Sequence, residues 1–374
     1  MNQKQILLLT LFSMFLFSCS EKSKTEKPKS LATLNVENAI AKSRPFDVEE
    51  KFGNIEFIPM ETNEKALMGE VLKIMKHNGF YYLYDDAGNL LRFDSQGKFV
   101  NRIGAIGKGP EEYNIITDFA LDKKNDFVVV NSLGKLVYYT TEGQFVKTLK
   151  SGTNEQVMDV DNASRIFYIL PDNAQPANVT SAEIVKVITP DGSLLKTFYT
   201  TKVRHNGLSF FNGISQKDGT MYYKEEMGNL IYSINSNLEK DSIYSFNLGK
   251  YAFKEEDFDM SAMEKWKNLY RLDKILITDE FTCFNLQKGL IGKDIYPLLW
   301  DGTELVFPHS KEDASKKGLF VNGIKITPMA EYNDEIICLA SLIDVLEKKK
   351  SADLKIEQLN DVTESSNPVL CILK

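Results

Sequence analysis

Two stretches of this chain, "YYLYDDAGNLLRFDSQGKFVNRI" (81–103) and "FVVVNSLGKLVYYTTEGQFVKTL" (127–149), align without a gap at an offset of 46. Gly88 falls on Gly134, Leu90 on Leu136, Gly97 on Gly143, and Phe99-Val100 on Phe145-Val146. Each copy reads as a short β run, a glycine turn, a second run, a hairpin turn and a third run. "IVKVITPDGSLLKTF" (184–198) repeats the last hairpin, and "MYYKEEMGNLIYSINSN" (221–237) repeats the first. Short antiparallel strands that recur at this spacing are what four-stranded propeller blades produce, with a β-sandwich as the alternative. The expected fold is all-β, a six-bladed β-propeller of four-stranded antiparallel blades over residues 51–374. Long insertions at 171–183 and 250–271 favour six blades over seven. The second insertion, with Phe258, Met263, Trp266 and Leu269, is amphipathic enough for a helix, and "LASLIDVLEKKK" near the end reads as another.

The chain has 374 residues, 43% of them apolar, which is ample for a large core. Its net charge of −7 argues against a nucleic-acid partner, since phosphate binding needs a basic surface. At the N-terminus, Lys4 precedes "ILLLTLFSMFLF" (6–17), an apolar run suited to a signal-peptide core and short for a bilayer span. "LFSC" follows, with Leu16 and Ser18 placed as in a bacterial lipobox ahead of Cys19. Residues 1–18 are thus expected to be a signal peptide and Cys19 the lipidated residue. Residues 19–50 hold the tether and the start of the mature chain, with "SEKSKTEKPKSLA" (20–32) as a flexible polar link. Three cysteines remain, Cys283, Cys338 and Cys371. They read as buried thiols or as one bridge, for example Cys338 to Cys371.

"IGKGPEEYNIITDFALD" (106–122), the preceding "FDSQGKFVNRIG" and the terminal "NPVLCILK" resemble the six-bladed β-propeller lipoproteins of Bacteroidetes. That family carries a G-x-G-P-G-E-Y signature, and this chain has Glu111 where the family usually has glycine. The resemblance implies a propeller in the cell envelope and no established catalytic activity. In such propellers an early and a late strand close the ring in one blade. The candidates are "GNIEFIPME" (53–61) and "NPVLCILK" (367–374).

The glycine-rich stretch "GAIGKGPEEY" is no dinucleotide loop. Pro110 removes an N–H, Glu111 and Glu112 repel anions, and no Gly-Lys-Ser/Thr follows. It reads as the link from one blade's outer strand to the next blade's inner strand, with Tyr113 packed on the neighbouring blade. The functional alternative is a rim loop offering Glu111, Glu112 and Tyr113 to a ligand. No G-x-S-x-G nucleophile is present, and His205 with Ser209 on one loop makes no triad. His77, His205 and His309 are isolated and read as surface or turn residues. Asp118, Asp122 and Asp159 are the oxygens available to an axial Ca2+, although turn capping explains them as well.

The expected function is non-catalytic binding of a glycan, peptide or partner envelope protein across one face of the ring. The alternative is an axial-metal lactonase, lyase or esterase, and a purely structural envelope role is a third reading. The expected place is the outer membrane, through the lipid anchor. Labelling cells with a fatty acid should mark the wild-type protein and leave Cys19→Ala unmarked. Equal labelling of both would refute lipidation.

Overall fold

The computed structural model describes residues 31–150, 157–170, 179–201, 213–225, 228–258, 260–289 and 294–374. Cys19, the signal and tether segments through residue 30, His205 and Ser209 lie outside the described residues. Six four-stranded antiparallel sheets stand in a ring as a six-bladed β-propeller. Blade 1 is Val71–His77, Phe80–Asp85, Leu90–Phe93 and Phe99–Arg102. Blade 2 is Asp118–Asp122, Phe127–Ser132, Lys135–Thr140 and Phe145–Lys150. Blade 3 is Val157–Val160, Ile166–Ile169, Ala182–Ile188 and Leu194–Thr200. Blade 4 is Ser215–Lys217, Thr220–Lys224, Leu230–Ile234 and Lys240–Asn247. Blade 5 is Tyr270–Ile277, Thr282–Lys288, Ile295–Trp300 and Leu305–Val306. Blade 6 is Ile324–Tyr332, Glu335–Ala340, Val369–Leu373 and, from the other end of the chain, Ile55–Pro59, with Leu319–Val321 added beside Ile324.

The core is divided among the six seams between neighbouring blades. Successive side chains on a strand point to opposite faces, so one strand serves two seams. On Phe127–Ser132, Val128 and Val130 pack toward blade 1, while Val129 packs toward blade 3. Strands covered on both faces become continuous apolar runs, and "FVVV" is one. The outer strand Phe145–Lys150 has lost that cover and alternates toward solvent.

The repeat has a packing cause. Gly97 and Gly143, with φ of 79° and 84°, turn the third strand of a blade into the fourth. A Cβ on Gly97 would lie 2.4 Å from the Pro59 carbonyl, and one on Gly143 would lie 2.4 Å from that of Arg102. Each turn therefore seats on the backbone of the previous blade's outer strand, where only glycine fits.

Ring closure is antiparallel pairing of Val369–Leu373 with Ile55–Pro59, with Cys371 opposite Phe57. Asn367 pins the joint. Its amide donates to the carbonyls of Glu61, at 2.6 Å, and Ala66, and its oxygen accepts from Met68 N at 3.0 Å. Cys338 stands opposite Cys371 in the same sheet, and with Cys283 they are buried free thiols in the seam of blades 5 and 6. Burial pushes the Cys371 thiol up to about 12.

Residues 32–50, expected to lead into the propeller, are folded onto it. Ala32–Asn35 adds a parallel strand outside blade 4. Helix α1 (Val36–Ala41) follows, with Asn35 capping Asn38 N at 3.0 Å. Arg44–Pro45 pairs with Pro308–His309. Helix α2 (Val48–Lys51), capped by Asp47, then buries Val48, and Phe52 follows it into the seam of blades 5 and 6. The 250–271 insertion forms short 3-10 turns at Gly249–Tyr251, Glu255–Phe258 and Met260–Ala262 and one α-helical turn, α3 (Met263–Trp266). Met263 is exposed, and the satellite cluster is Phe253, Phe258, Ala262 and Trp266. The late helix is α4 (Leu342–Lys350), capped by Ser341 and ending in three lysines that complement its C-terminal dipole.

Asn367→Ala would strand buried amide and carbonyl groups at the closure and should cost about 2 kcal/mol in urea unfolding. An unchanged midpoint would show that the closing ladder holds without it.

Candidate functional site

The two faces of the ring differ. Connections from inner strand to second strand are short, such as Asn78–Gly79, Asp218–Gly219 and Asn333–Asp334. Those from an outer strand to the next inner strand are longer, running from Arg102 to Asp118 and from Asn247 to Tyr270. The short-turn face is laced by cross-blade contacts. His77 Nε2 meets Asp126 Oδ1 at 2.7 Å, and Asn125 donates to Ser164 at 2.9 Å. Gln216 donates to Asn162 at 3.0 Å, and Lys217 pairs with Asp279 and Asp334. Lys76 pairs with Glu335 and completes the circuit from blade 6 to blade 1. Read from sequence as surface or turn residues, His77 and His309 are both buried, His77 at the strand end beside the Asn78–Gly79 turn and His309 in a short strand. Their polarity is spent on partners, His309 Nδ1 lying 2.8 Å from the Ser310 carbonyl.

The 102–116 stretch is the link between blades 1 and 2. Tyr113 is fully buried, donates to the Ile103 carbonyl at 3.0 Å and meets Tyr139 edge-on. Burial pushes its phenol up to about 12. It is therefore unavailable to a ligand, which corrects its place among the rim-loop candidates. Glu112 folds back so that Oε2 accepts from Gly109 N at 2.8 Å, and Lys135 donates to its carbonyl. Glu111 is exposed, while its carbonyl accepts from Tyr139. Gly104, at φ 63°, leaves room for the tyrosine pair, since a Cβ there would lie 2.5 Å from Tyr139. Of the three candidates, Glu111 alone extends freely from the loop.

The axis is built from the inner strands. Lys73 of blade 1 reaches across to donate to both Asp118 oxygens at 2.8 and 3.0 Å, to the Phe119 carbonyl at 2.7 Å and to the Met158 carbonyl at 3.1 Å. Asp118 also accepts from Phe119 N and Met158 N, so three blades meet at one ion pair. Beside it lies a cavity of about 70 Å³ lined by Lys73, Lys76, Lys123, Asp159, Lys274 and Glu331, with Ser215, Gln216 and apolar neighbours completing it. Burial raises the Asp159 carboxyl and pushes Glu331 up to about 7, while burial lowers the Lys274 ammonium. Sequence patterns did not expose these lysines, because "VLKIMKH" and "DKILI" look like ordinary strands with solvated polar positions.

The carboxylates nominated for an axial Ca2+ do not converge. Asp118 is spent on Lys73 and two backbone amides, and Asp122 caps a turn through Asn125 and Ser164. Asp159 faces the cavity with ammonium groups around it. Such a donor set does not suit a divalent cation, which wants several oxygens and no neighbouring cations. Among the described residues no group of three metal-ligating side chains forms.

A larger hollow lies over the seam of blades 5 and 6, beside α2. It measures about 510 Å³ and has Phe46, Phe281, Leu299 and Val306 in its lining. Charged residues rim it, including the Arg44–Glu304 pair at 2.6 Å, Glu50, Asp301 and Lys51, whose ammonium sits 4.7 Å over the Phe281 ring.

Lys73→Met would leave Asp118 buried without its cation and should destabilise the fold by about 3 kcal/mol. Adding Asp118→Asn should recover part of that loss in denaturant titrations. Strictly additive costs would show that the pair is not coupled.

Among solved structures, a protein of Bacteroides fragilis NCTC 9343, named as an inferred exported protein, overlays with a TM-score of 0.71 at 15% identity. The overlay covers 92% of this chain and 99% of that one. A member of the DUF4221 family from Bacteroides vulgatus ATCC 8482 overlays with a TM-score of 0.51 at 10% identity, covering 86% and 96%. At these identities the likeness speaks to fold alone. No curated protein matches the chain by sequence. Among the described residues no helix is long and apolar enough to cross a membrane. The matching family profile spans residues 31–374, the whole ring with its N-terminal strap, and the chain belongs to that family, described as a domain of unknown function, DUF4934.

Proposed function

We propose that the protein is a non-catalytic binding protein of the cell envelope, held to the outer membrane by a lipid on Cys19. It recognises a glycan, peptide or partner protein away from the ring axis. The observation that carries this reading is a contrast of volumes. The axis keeps about 70 Å³ beside the Lys73–Asp118 pair, whereas the hollow beside α2 offers about 510 Å³. Ligand sites run from roughly 300 to 1,000 Å³. The hollow pairs an aromatic floor with carboxylates and cations at its rim, the mixture that stacks on a sugar or peptide while hydrogen-bonding its polar groups. Glu111, exposed on the long-loop face, offers a separate acidic contact away from the hollow. The export named for the Bacteroides fragilis structure supports the envelope assignment, as does the lipobox around Cys19. An axial-metal lactonase, lyase or esterase is served less well, because ammonium groups occupy the place the metal would take.

A thermal-shift screen with glycan and peptide panels tests the proposal, since ligands of the native state raise Tm by mass action. A member of either panel should raise Tm with or without chelator, and the Glu50→Lys/Glu304→Lys double variant should lose the response. A fall in Tm with chelator that calcium reverses would overturn the reading in favour of the metal enzyme.

A further inference from the structure

We infer that the axial cavity is a binding site for one small anion, a carboxylate- or phosphate-sized group held by Lys274 in the combined field of Lys73 and Lys123. This does not rest on the hollow beside α2. Four lysines line the cavity, Lys73, Lys76, Lys123 and Lys274, against two carboxyl groups, Asp159 and Glu331. Lys73 and Lys76 have partners in Asp118 and Glu335. Lys123 and Lys274 have no carboxylate within ion-pair distance among the described residues. The Lys123 ammonium rests 5.5 Å over the Tyr332 ring. Lys274 donates to the Met329 carbonyl at 2.8 Å, its one acceptor among the described residues. An ammonium carries three N–H groups, so two remain to be used.

The electrostatics point the same way. Burial depresses Lys274, and the neighbouring Lys73 depresses it further, while Asp273 and Asp118 pull against them. Asp159 and Glu331 are both drawn toward their neutral forms by burial. Burial thus draws Lys274, Asp159 and Glu331 alike toward their neutral forms, and what singles out Lys274 is geometric: it lines the cavity with N–H groups to spare and no carboxylate in ion-pair distance among the described residues. Buried charge without a counter-ion is costly, and an anion beside Lys274 would relieve that cost. Volume sets the size of the guest. About 70 Å³ gives room for an acidic head group among these side chains. Lys73 has spent its donors on Asp118 and two carbonyls, so it acts through charge, and Lys274 supplies the hydrogen bonds.

The test is calorimetric and thermal titration of the purified protein with inorganic phosphate, acetate and glucuronate. Ionic strength is held constant with a bulky sulfonate salt that the cavity excludes. Phosphate or acetate should bind saturably and raise Tm, identifying a free small anion as a sufficient ligand. A response to glucuronate alone would instead identify the acid group of a larger molecule. Lys274→Met, which keeps an unbranched apolar stem and removes the charge, should fold with an unchanged or higher Tm in anion-free buffer and lose all saturable binding. Lys123→Met should bind several-fold more weakly, and it carries the test if Lys274→Met does not fold. No saturable binding to wild type, or equal binding to wild type and variants, would overturn the inference.

Discussion

The ring exists because two ends of the chain hydrogen-bond to each other. Val369–Leu373 and Ile55–Pro59 are separated by almost the whole fold, yet they form adjacent strands of blade 6. Without that ladder, blade 6 loses the strand Ile55–Pro59, and Ile58 leaves the seam with blade 1, uncovering Leu370 and Ile372. An open ring also presents unpaired strand edges to solvent, the usual route to edge-to-edge aggregation. Every other seam can then form, because each blade is wedged between two neighbours and has no independent core. Stability is distributed among six apolar interfaces, so no single seam dominates, but their arrangement presupposes the closure.

The axis depends on the same geometry in a polar form. Closing the ring forces six inner strands together, and their side chains must fill a narrow shaft. Here they fill it with charge. Lys73 ties blades 1, 2 and 3 by one ammonium, and Lys217 ties blades 4, 5 and 6 on the short-turn face. These contacts rigidify the shaft and leave only a small cavity. On the proposed binding function, anything larger than a head group would be met at the hollow beside α2 or at the long connections, where backbone length varies from blade to blade.

Much of this architecture is legible in the sequence because turn glycines are backbone constraints. Gly97 and Gly143 seat on the preceding blade, so they recur with it, and the offset reveals the blade as a unit. The closing strands and Tyr113 as a packing residue are readable for similar reasons. Blade 4's inner strand, "SQK", and the strap over 32–50 are not, since one is short and polar and the other repeats nothing. The site is harder still. Whether Lys274 faces solvent or a shaft depends on six strands meeting, and no local pattern in "DKILI" encodes that meeting. The burial of His77 and His309 is unreadable for the same cause, because the chain supplies their partners from distant turns or from backbone carbonyls.

The parallel strand Ala32–Asn35 has a mechanical meaning. Its register with Lys240–Asn247 runs from Ala32 opposite Tyr244 to Asn35 opposite Asn247. Tension drawn along the chain at Leu31 loads that ladder in shear, so its rungs share the pull. The segment from Val36 to Phe52 then lies between this first grip and the closing strand of blade 6. It is itself held by the Arg44–Pro45 pairing and by buried Val36, Val48 and Phe52, so it must be peeled from the ring before any force reaches Ile55. A tug on the N-terminus is therefore absorbed at the outside of blade 4 while the ring stays shut.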